Sequence, residues 1–241
     1  MREETLEVNG YKIKLPIGLP EPLTTKVRDS YQTFLRESTN DVRRHLTCFS
    51  SLVPPMTSEW SGGEGVLHPF GGLGACAQIL DQCFKGYTPL KHTFWDRDPE
   101  CVRYLKESRA DVHQVQDSFV KLQDEDLEPY RAVLLDLSVN TIKTPTTGDM
   151  WEKIALWITE SKFVWFTDTA CHKMHLNHKT YTRDFGREIT NSNLDYMTAY
   201  SEWLEDHFGI TIVSAMAEAG MTYCVAAPQS KHKRFSSIPY V

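Results

Sequence analysis

Apolar and polar residues alternate along the first part of the chain. The alternation covers residues 6–8 and 11–15, on either side of Asn9-Gly10. Asn-Gly is favoured in two-residue turns because both residues tolerate positive φ, so the pattern predicts a β-hairpin. Apolar residues at helical spacing over residues 27–49 predict helix beyond it. We therefore expect residues 1–55 to form an N-terminal hairpin and helical extension.

Beyond residue 55, short apolar runs typical of strands alternate with stretches at helical spacing. The expected strands cover residues 65–70, 92–95, 112–116, 132–137 and 163–167. The expected helices lie near residues 74–84, 99–107 and 149–160. Parallel strands need crossover connections, so this alternation predicts a parallel sheet covered by helices.

The C-terminal part of the chain departs from this alternation. A helix expected near residues 193–207 is followed by two strand-like runs, Ile210–Ala215 and Thr222–Ala227. The link between the two runs is too short for a crossover, so these strands should pair antiparallel. Residues 56–241 are thus expected to form one α/β domain, with a mostly parallel sheet and an antiparallel C-terminal strand pair.

Composition narrows the class of protein. The chain has 241 residues, of which 41% are hydrophobic and 24% charged, and this is typical of a globular protein. It contains no apolar run of about 20 residues, so no membrane partner is expected. Six irregularly spaced cysteines and a charged N-terminus indicate a reducing, cytoplasmic location. The net charge of −6 argues against a dedicated DNA-binding module and leaves local basic segments as nucleic-acid contacts.

The connection between the first expected strand and helix of this domain is rich in glycine. His68 lies in the last part of the expected strand and is followed by Pro69-Phe70-Gly71-Gly72-Leu73-Gly74, here called the glycine loop. Glycine lets a ligand approach the backbone, and the amides at a helix start can hold a carboxylate or phosphate. The alternative interpretation is an ordinary loop that happens to contain glycines.

Acidic residues follow the next two expected strands. Asp96 stands 22 residues after Gly74, where a carboxylate can accept both hydroxyls of a ribose. Asp98 precedes Pro99 and is better explained as a helix N-cap. Asp117, after the third strand, could accept from an adenine amino group, or it could be a surface acid or a cap.

Together these segments resemble the class I S-adenosylmethionine-dependent methyltransferases over residues 64–228. The glycine loop is similar to the D-P-F-x-G-x-G signature of the branch that methylates amino groups of nucleic acids. The resemblance implies a Rossmann-like sheet of seven strands with helices on both faces, S-adenosylmethionine as cofactor, and nucleic acid as substrate. The cofactor-binding residues that it implies are His68, Pro69, Phe70, Gly71, Gly72, Gly74, Asp96, Arg97, Asp117 and Ser118.

Two departures from the family pattern keep other interpretations open. His68 replaces the acid that begins the signature, and the fourth strand lacks the D/N-P-P-Y/F motif that positions a target amine. One alternative is an NAD-dependent oxidoreductase, because residues 72–77 fit G-x-G-x-x-A and Asp96 also suits the ribose of NAD. Another is a catalytically degenerate binding subunit, and a partner subunit and the oligomeric state stay open.

Residues after the fourth and fifth strands are the candidates for acceptor chemistry. The candidate catalytic residues are Asp136, Ser138, Asn140 and Asp168, and Asp136 is the first choice for orienting or deprotonating the acceptor. Residues 171–179 contain one cysteine and three histidines, but regular zinc spacing is absent and we assign no metal. The candidate substrate-binding residues of this basic region are Lys173, Lys179, Arg183 and Arg187.

Overall fold

The protein is described here by a computed structural model. The described residues are 3–8, 11–16, 65–72, 74–83, 89–107, 109–135, 145–158, 162–168, 193–218 and 221–228. The chain divides into two compact units, residues 1–118 and 119–241. The expected boundary between an N-terminal extension and the main domain, at residues 55 and 56, lies outside the described residues.

An N-terminal hairpin begins the first unit. Strand β1 covers Glu3–Val8 and pairs antiparallel with strand β2, Tyr11–Pro16. Val8 pairs with Tyr11, so the two strands are joined by the two residues Asn9-Gly10. The hairpin expected from the alternating pattern is confirmed. The helices expected over residues 27–49 lie outside the described residues.

The rest of the first unit alternates strands and helices. Its elements are β3 (Gly65–His68), α1 (Ala75–Cys83), β4 (Lys91–Asp96), α2 (Pro99–Lys106) and β5 (Asp111–Gln114). Strand β4 pairs parallel with β3 on one side and with β5 on the other. The expected alternation is confirmed, and the bounds of most elements differ from the expected ones by one or two residues.

The second unit continues the alternation and ends in an antiparallel arrangement. Its elements are α3 (Ser118–Asp124), β6 (Tyr130–Leu135), α4 (Pro145–Trp157), β7 (Phe163–Asp168), α5 (Asn193–Phe208), β8 (Ile210–Glu218) and β9 (Met221–Pro228). Strand β9 runs antiparallel to both β8 and β7. The expected antiparallel C-terminal pair is therefore confirmed.

The main sheet has seven strands in the order β5-β4-β3-β6-β7-β9-β8. This is the mostly parallel α/β sheet that the sequence predicts, with the expected number of strands. The last strand in sequence, β9, lies between β7 and β8, so it and not β8 is paired with the parallel part of the sheet.

Each unit has its own buried core. In the first unit, apolar side chains from both helices and two strands form one buried cluster of Ala77, Phe94, Val102, Leu105 and Val112. In the second unit, the rings of Trp151, Phe166 and Tyr200 meet edge to face. These large side chains from helices α4 and α5 and strand β7 are buried, and the removal of their apolar surface from water stabilises the second unit.

One helix was not expected from the sequence. Helix α3 has seven residues and buries Leu122 while leaving Val120 about half exposed. Two turns are too short for a helical repeat of apolar residues to stand out from a loop. Among the helices that the structure describes, none combines the length and the apolar character needed to cross a membrane.

Candidate functional site

The glycine loop connects strand β3 to helix α1 and packs against the end of strand β4. The N–H of Gly71 donates to the carbonyl oxygen of Trp95 at 2.8 Å, and the N–H of Gly74 donates to that of Gly71 at 2.9 Å. A Cβ atom at Gly71 would lie 3.2 Å from the Phe94 side chain. The absence of a side chain at Gly71 thus lets the loop lie close against β4.

Two glycines of the loop have positive φ, for different purposes. At Gly74 φ is +77°, and a Cβ atom would lie 2.9 Å from Cδ2 of Leu105 on α2. At Gly72 φ is +49°, and a Cβ atom would meet no atom of the described residues within 4 Å. Gly74 therefore permits the close packing of the helices, whereas the described residues leave the side of Gly72 without a neighbour.

Asp96 ends strand β4 and holds the glycine loop through its side chain. Its Oδ2 accepts the N–H of Gly72 at 2.8 Å, and its Oδ1 accepts the N–H of Asp98 at 2.8 Å. Burial raises the pKa of the Asp96 carboxyl, although the backbone N–H groups of Asp98 and Gly72 oppose the rise. The backbone N–H of Arg97 also lowers this pKa. A carboxylate can accept about four hydrogen bonds, so a ribose hydroxyl could donate to Asp96 besides these N–H groups.

Asp98 caps helix α2, as the sequence predicts. Its Oδ1 accepts the N–H of Glu100 at 2.8 Å, and Pro99 is the first residue of the helix. Arg97, between the two acids, is exposed. The two aspartates thus have separate contacts: Asp98 caps a helix, while Asp96 binds the glycine loop.

The third acidic position lies at the start of helix α3. Asp117 precedes the helix and is exposed, whereas Ser118 is its first residue and is buried. The roles of these two residues toward an adenine ring remain predictions.

His68 lies at the end of β3 and its ring packs among side chains of the first unit. It is 3% exposed and stacks on the ring of Phe94 at a centroid distance of 4.6 Å. Its Nε2 lies 2.9 Å from Nδ1 of His92. The pKa of His68 lies well below its ordinary value because of burial first, and because of the nearby His92 and Arg109 second.

This contact continues into a hydrogen-bonded chain that sequence reasoning missed. Nε2 of His92 lies 2.7 Å from Oδ1 of Asp81 on helix α1, and the guanidinium of Arg109 donates to Oδ2 of Asp81 at 3.1 Å. Burial would raise the pKa of the Asp81 carboxyl, but the hydrogen bond and charge of His92, together with Arg109, lower it overall. The signal available in the sequence was one histidine in each of two neighbouring, largely apolar strands.

Comparison with known proteins gives the fold a name. No protein-family model matches this chain, and no curated protein sequence matches it. Trm1 from Pyrococcus horikoshii, solved with S-adenosyl-L-methionine, matches 95% of this chain and 62% of its own, with a TM-score of 0.57 and 10% identity. This chain therefore spans less than two thirds of that protein.

Two further structures match at a similar level. A S-adenosylmethionine-dependent methyltransferase from Clostridium acetobutylicum matches 85% of this chain and 99% of its own, with a TM-score of 0.53 and 8% identity. An O-methyltransferase family 2 protein from Planctomyces limnophilus, solved with apigenin, matches 86% of this chain and 62% of its own, with a TM-score of 0.52 and 14% identity. The chain has the class I S-adenosylmethionine-dependent methyltransferase fold. The fold implied by the glycine loop and its flanking strands is thereby confirmed.

Within this methyltransferase fold, several candidate residues lie outside the described residues. Those expected at the acceptor are Asp136, Ser138 and Asn140, and those expected to bind substrate are Lys173, Lys179, Arg183 and Arg187. Asp168 is the last residue of β7, and the structure describes its backbone but not its side chain. Where side chains are described, no three His, Cys, Asp or Glu residues are grouped to hold a metal ion.

The lowered pKa of His68 predicts acid-sensitive stability. Below pH 6.5, the ordinary pKa of histidine, the unfolded chain binds a proton at His68 that the folded chain excludes. The free energy of unfolding therefore decreases as the pH decreases. The lowered pKa of Asp81 adds a further decrease in the free energy of unfolding below pH 3.8, the ordinary pKa of an aspartate. One such group contributes at most about 1.4 kcal/mol per pH unit.

Urea unfolding at about pH 7.5 and about pH 5.5 measures this effect. The fall in the free energy of unfolding should be smaller in His68→Gln, which cannot titrate, than in the wild type. The control is His113→Gln, which removes an exposed histidine and should retain the wild-type fall. Equal falls in the wild type and His68→Gln would refute the assignment.

Proposed function

We propose that this protein is a S-adenosylmethionine-dependent methyltransferase that acts on nucleic acid. The observation that carries the proposal is the hydrogen bond between the Asp96 carboxylate and the N–H of Gly72 in the glycine loop. In the methyltransferase fold this loop follows the first strand of the sheet. An acid that touches the loop at the end of the second strand, and that can accept from a hydroxyl, suits an adenosyl ligand.

The residues of the first unit fit the parts of such a cofactor. Amide groups at the start of α1 would hold its carboxylate, Asp96 would accept the ribose hydroxyls, and Asp117 would accept from the adenine amino group. A Cβ atom at Gly72 would meet no atom of the described residues within 4 Å, so these residues leave room for a ligand there. When bound, the cofactor supplies an electrophilic methyl group to a nucleophile placed in line with it.

Nucleic acid is the acceptor that the sequence favours. The support is the similarity of Pro69-Phe70-x-Gly72 to the signature of nucleic-acid amino-methyltransferases, together with the basic residues between positions 173 and 187. Asp136, Ser138, Asn140 and Asp168 are proposed to orient or deprotonate the acceptor group. A small molecule or a protein is the competing class of acceptor; one methyltransferase of this fold is bound to the small molecule apigenin.

Calorimetric titration of the full chain with three ligands tests the cofactor. We expect saturable binding of S-adenosylmethionine and of S-adenosylhomocysteine, and no binding of NAD. Binding of NAD alone would replace the methyltransferase proposal by an oxidoreductase. The antiparallel pairing of β9 with β7 and β8 argues against an oxidoreductase. It resembles the C-terminal strand arrangement that distinguishes methyltransferase sheets from dehydrogenase sheets.

Transfer of a labelled methyl group tests the acceptor. The assay offers RNA, single- and double-stranded DNA and a set of small phenols and amines as separate acceptors. Label in nucleic acid supports the proposal, and label in small molecules alone overturns its substrate part. If the cofactor binds and no acceptor is labelled, the nucleic-acid part of the proposal fails, and a protein acceptor and a catalytically degenerate binding subunit are the alternatives.

A further inference from the structure

A chain of side-chain hydrogen bonds joins helix α1 to strands β4 and β3 beside the glycine loop. It links the carboxylate of Asp81 to the ring of His92, at 2.7 Å, and this ring to that of His68, at 2.9 Å. Arg109 binds the second oxygen of Asp81 and lies over the Phe94 ring, 5.7 Å from its centroid. Two histidines and a carboxylate thus form one partly buried polar network in the first unit.

The direction of each hydrogen bond follows from the protons available. Ionised Asp81 can only accept, so Nε2 of His92 carries the proton of that bond. When His92 is neutral its Nδ1 is an acceptor, and Nε2–H of His68 must donate to it. The carboxylate at one end of the chain therefore fixes the tautomer of the histidine at the other end.

Two contacts connect this chain to the glycine loop. His68 directly precedes the loop, and its ring stacks on Phe94. The side chain of Phe94 in turn lies against Gly71, where a Cβ atom would be only 3.2 Å away. A change in the orientation of the His68 ring would therefore act on the loop both through the backbone and through Phe94.

We propose that Asp81 and His92 are positioning residues for the cofactor site. They hold His68 as an Nε2–H donor, and His68 with Phe94 keeps the glycine loop in the conformation that accepts the adenosyl cofactor. This inference rests on the proposed function, and it assigns to Asp81 and His92, two residues outside the loop, a share in cofactor affinity.

The first test needs no substitution. A two-dimensional ¹H–¹⁵N NMR spectrum of the full chain, with ¹⁵N in its histidine rings, shows which ring nitrogen of each histidine carries the proton. We expect His68 and His92 both to carry the proton on Nε2 at about pH 7.5, and His68 to stay neutral well below its ordinary pKa of 6.5. An Nδ1–H tautomer at His92, or titration of His68 at its ordinary pKa, would overturn the proposal.

The second test measures the affinity for S-adenosylhomocysteine in Asp81→Asn. An amide can present either its oxygen or its NH₂ group to His92, so both tautomers of His92 become available and the donor role of His68 is lost. We expect binding to weaken roughly ten-fold, as for the loss of one hydrogen bond to a charged group. A role in stability alone would lower the unfolding midpoint and leave the affinity of the folded protein unchanged, and that result overturns the proposal.

Paired substitutions of His68 separate the hydrogen bond from ring packing. His68→Gln keeps a donor for His92 but loses the ring that stacks on Phe94, and it should bind S-adenosylhomocysteine more tightly than His68→Phe. His68→Phe keeps the stacking on Phe94 without a donor and should bind about ten-fold more weakly than the wild type. The matched control His113→Gln alters an exposed histidine–carboxylate pair and should have no effect. Equal affinities in both His68 variants contradict the positioning role.

The two proposals fail in different ways. If the wild type binds no adenosyl ligand, the proposed function fails, whatever the tautomers are. If the wild type binds and Asp81→Asn binds equally well, the function stands and the positioning role fails.

Discussion

Asp96→Ala is expected to weaken the binding of S-adenosylhomocysteine by about 100-fold or more. The substitution removes the acceptor of the Gly72 and Asp98 amides, and with it the proposed acceptor of the ribose hydroxyls. Each donor left unpaired in a partly buried site costs about 1–3 kcal/mol, and 100-fold corresponds to about 2.7 kcal/mol. Calorimetric titration of the variant and the wild type under the same conditions measures the change.

Asp98→Ala is the matched control for this prediction. Asp98 is two residues from Asp96, and its described side-chain hydrogen bond is the N-cap of α2. Removing an N-cap lowers the free energy of unfolding by about 1 kcal/mol, so we expect a less stable protein with unchanged affinity. If both variants lost affinity equally, the effect would belong to the loop as a whole and the assigned role of Asp96 would be wrong.

Phe94→Ala is expected to lower the free energy of unfolding by about 3–5 kcal/mol. The ring is fully buried in the cluster that includes Leu105, stacks on His68, and lies against the position of Gly71. Truncation removes apolar contacts and leaves a cavity that the two flanking strands and the helices cannot fill without moving. Because a domain is stable by only about 5–15 kcal/mol, this single change takes a large part of the total.

Urea unfolding of the full chain measures the effect of Phe94→Ala. Leu156→Ala is the control, because Leu156 is 86% exposed and its truncation should change the free energy of unfolding by less than about 0.5 kcal/mol. Phe94→Leu keeps much of the buried volume and should lie between the two. A loss below about 1 kcal/mol for Phe94→Ala would contradict the packing described for this ring.

Several parts of the fold could be predicted because their signals are local. Asn9-Gly10 between alternating residues encodes a hairpin turn, and Asp98-Pro99 encodes a helix start. The alternation of strands and helices and the short link after β8 encode a parallel sheet with an antiparallel end. The turn and the helix start depend on a few neighbouring residues, and the relative direction of consecutive strands depends on the length of the connection between them. Both signals can be followed along the sequence.

Parts of the candidate site could be predicted for the same reason. The glycine loop was recognised from consecutive residues, and Asp96 from its place at the end of the second strand of the alternating region. The two hydrogen bonds that Asp96 accepts from Gly72 and Asp98 could not be predicted, because they depend on the position of the loop in the folded protein. The acceptor-side residues, including Asp136, remain predictions of the sequence.

The sequence by itself determined the type of each long element that the structure describes, the glycine loop and the cap of α2. Only the tertiary structure decided that β9 lies between β7 and β8, and that His68 meets His92 and, through it, Asp81. The physical reason is the distance along the chain. His68 and His92 are 24 residues apart, and their contact depends on how two strands align and on which face each ring lies. Local preferences do not encode such pairings, which arise when apolar burial brings the strands and helices together.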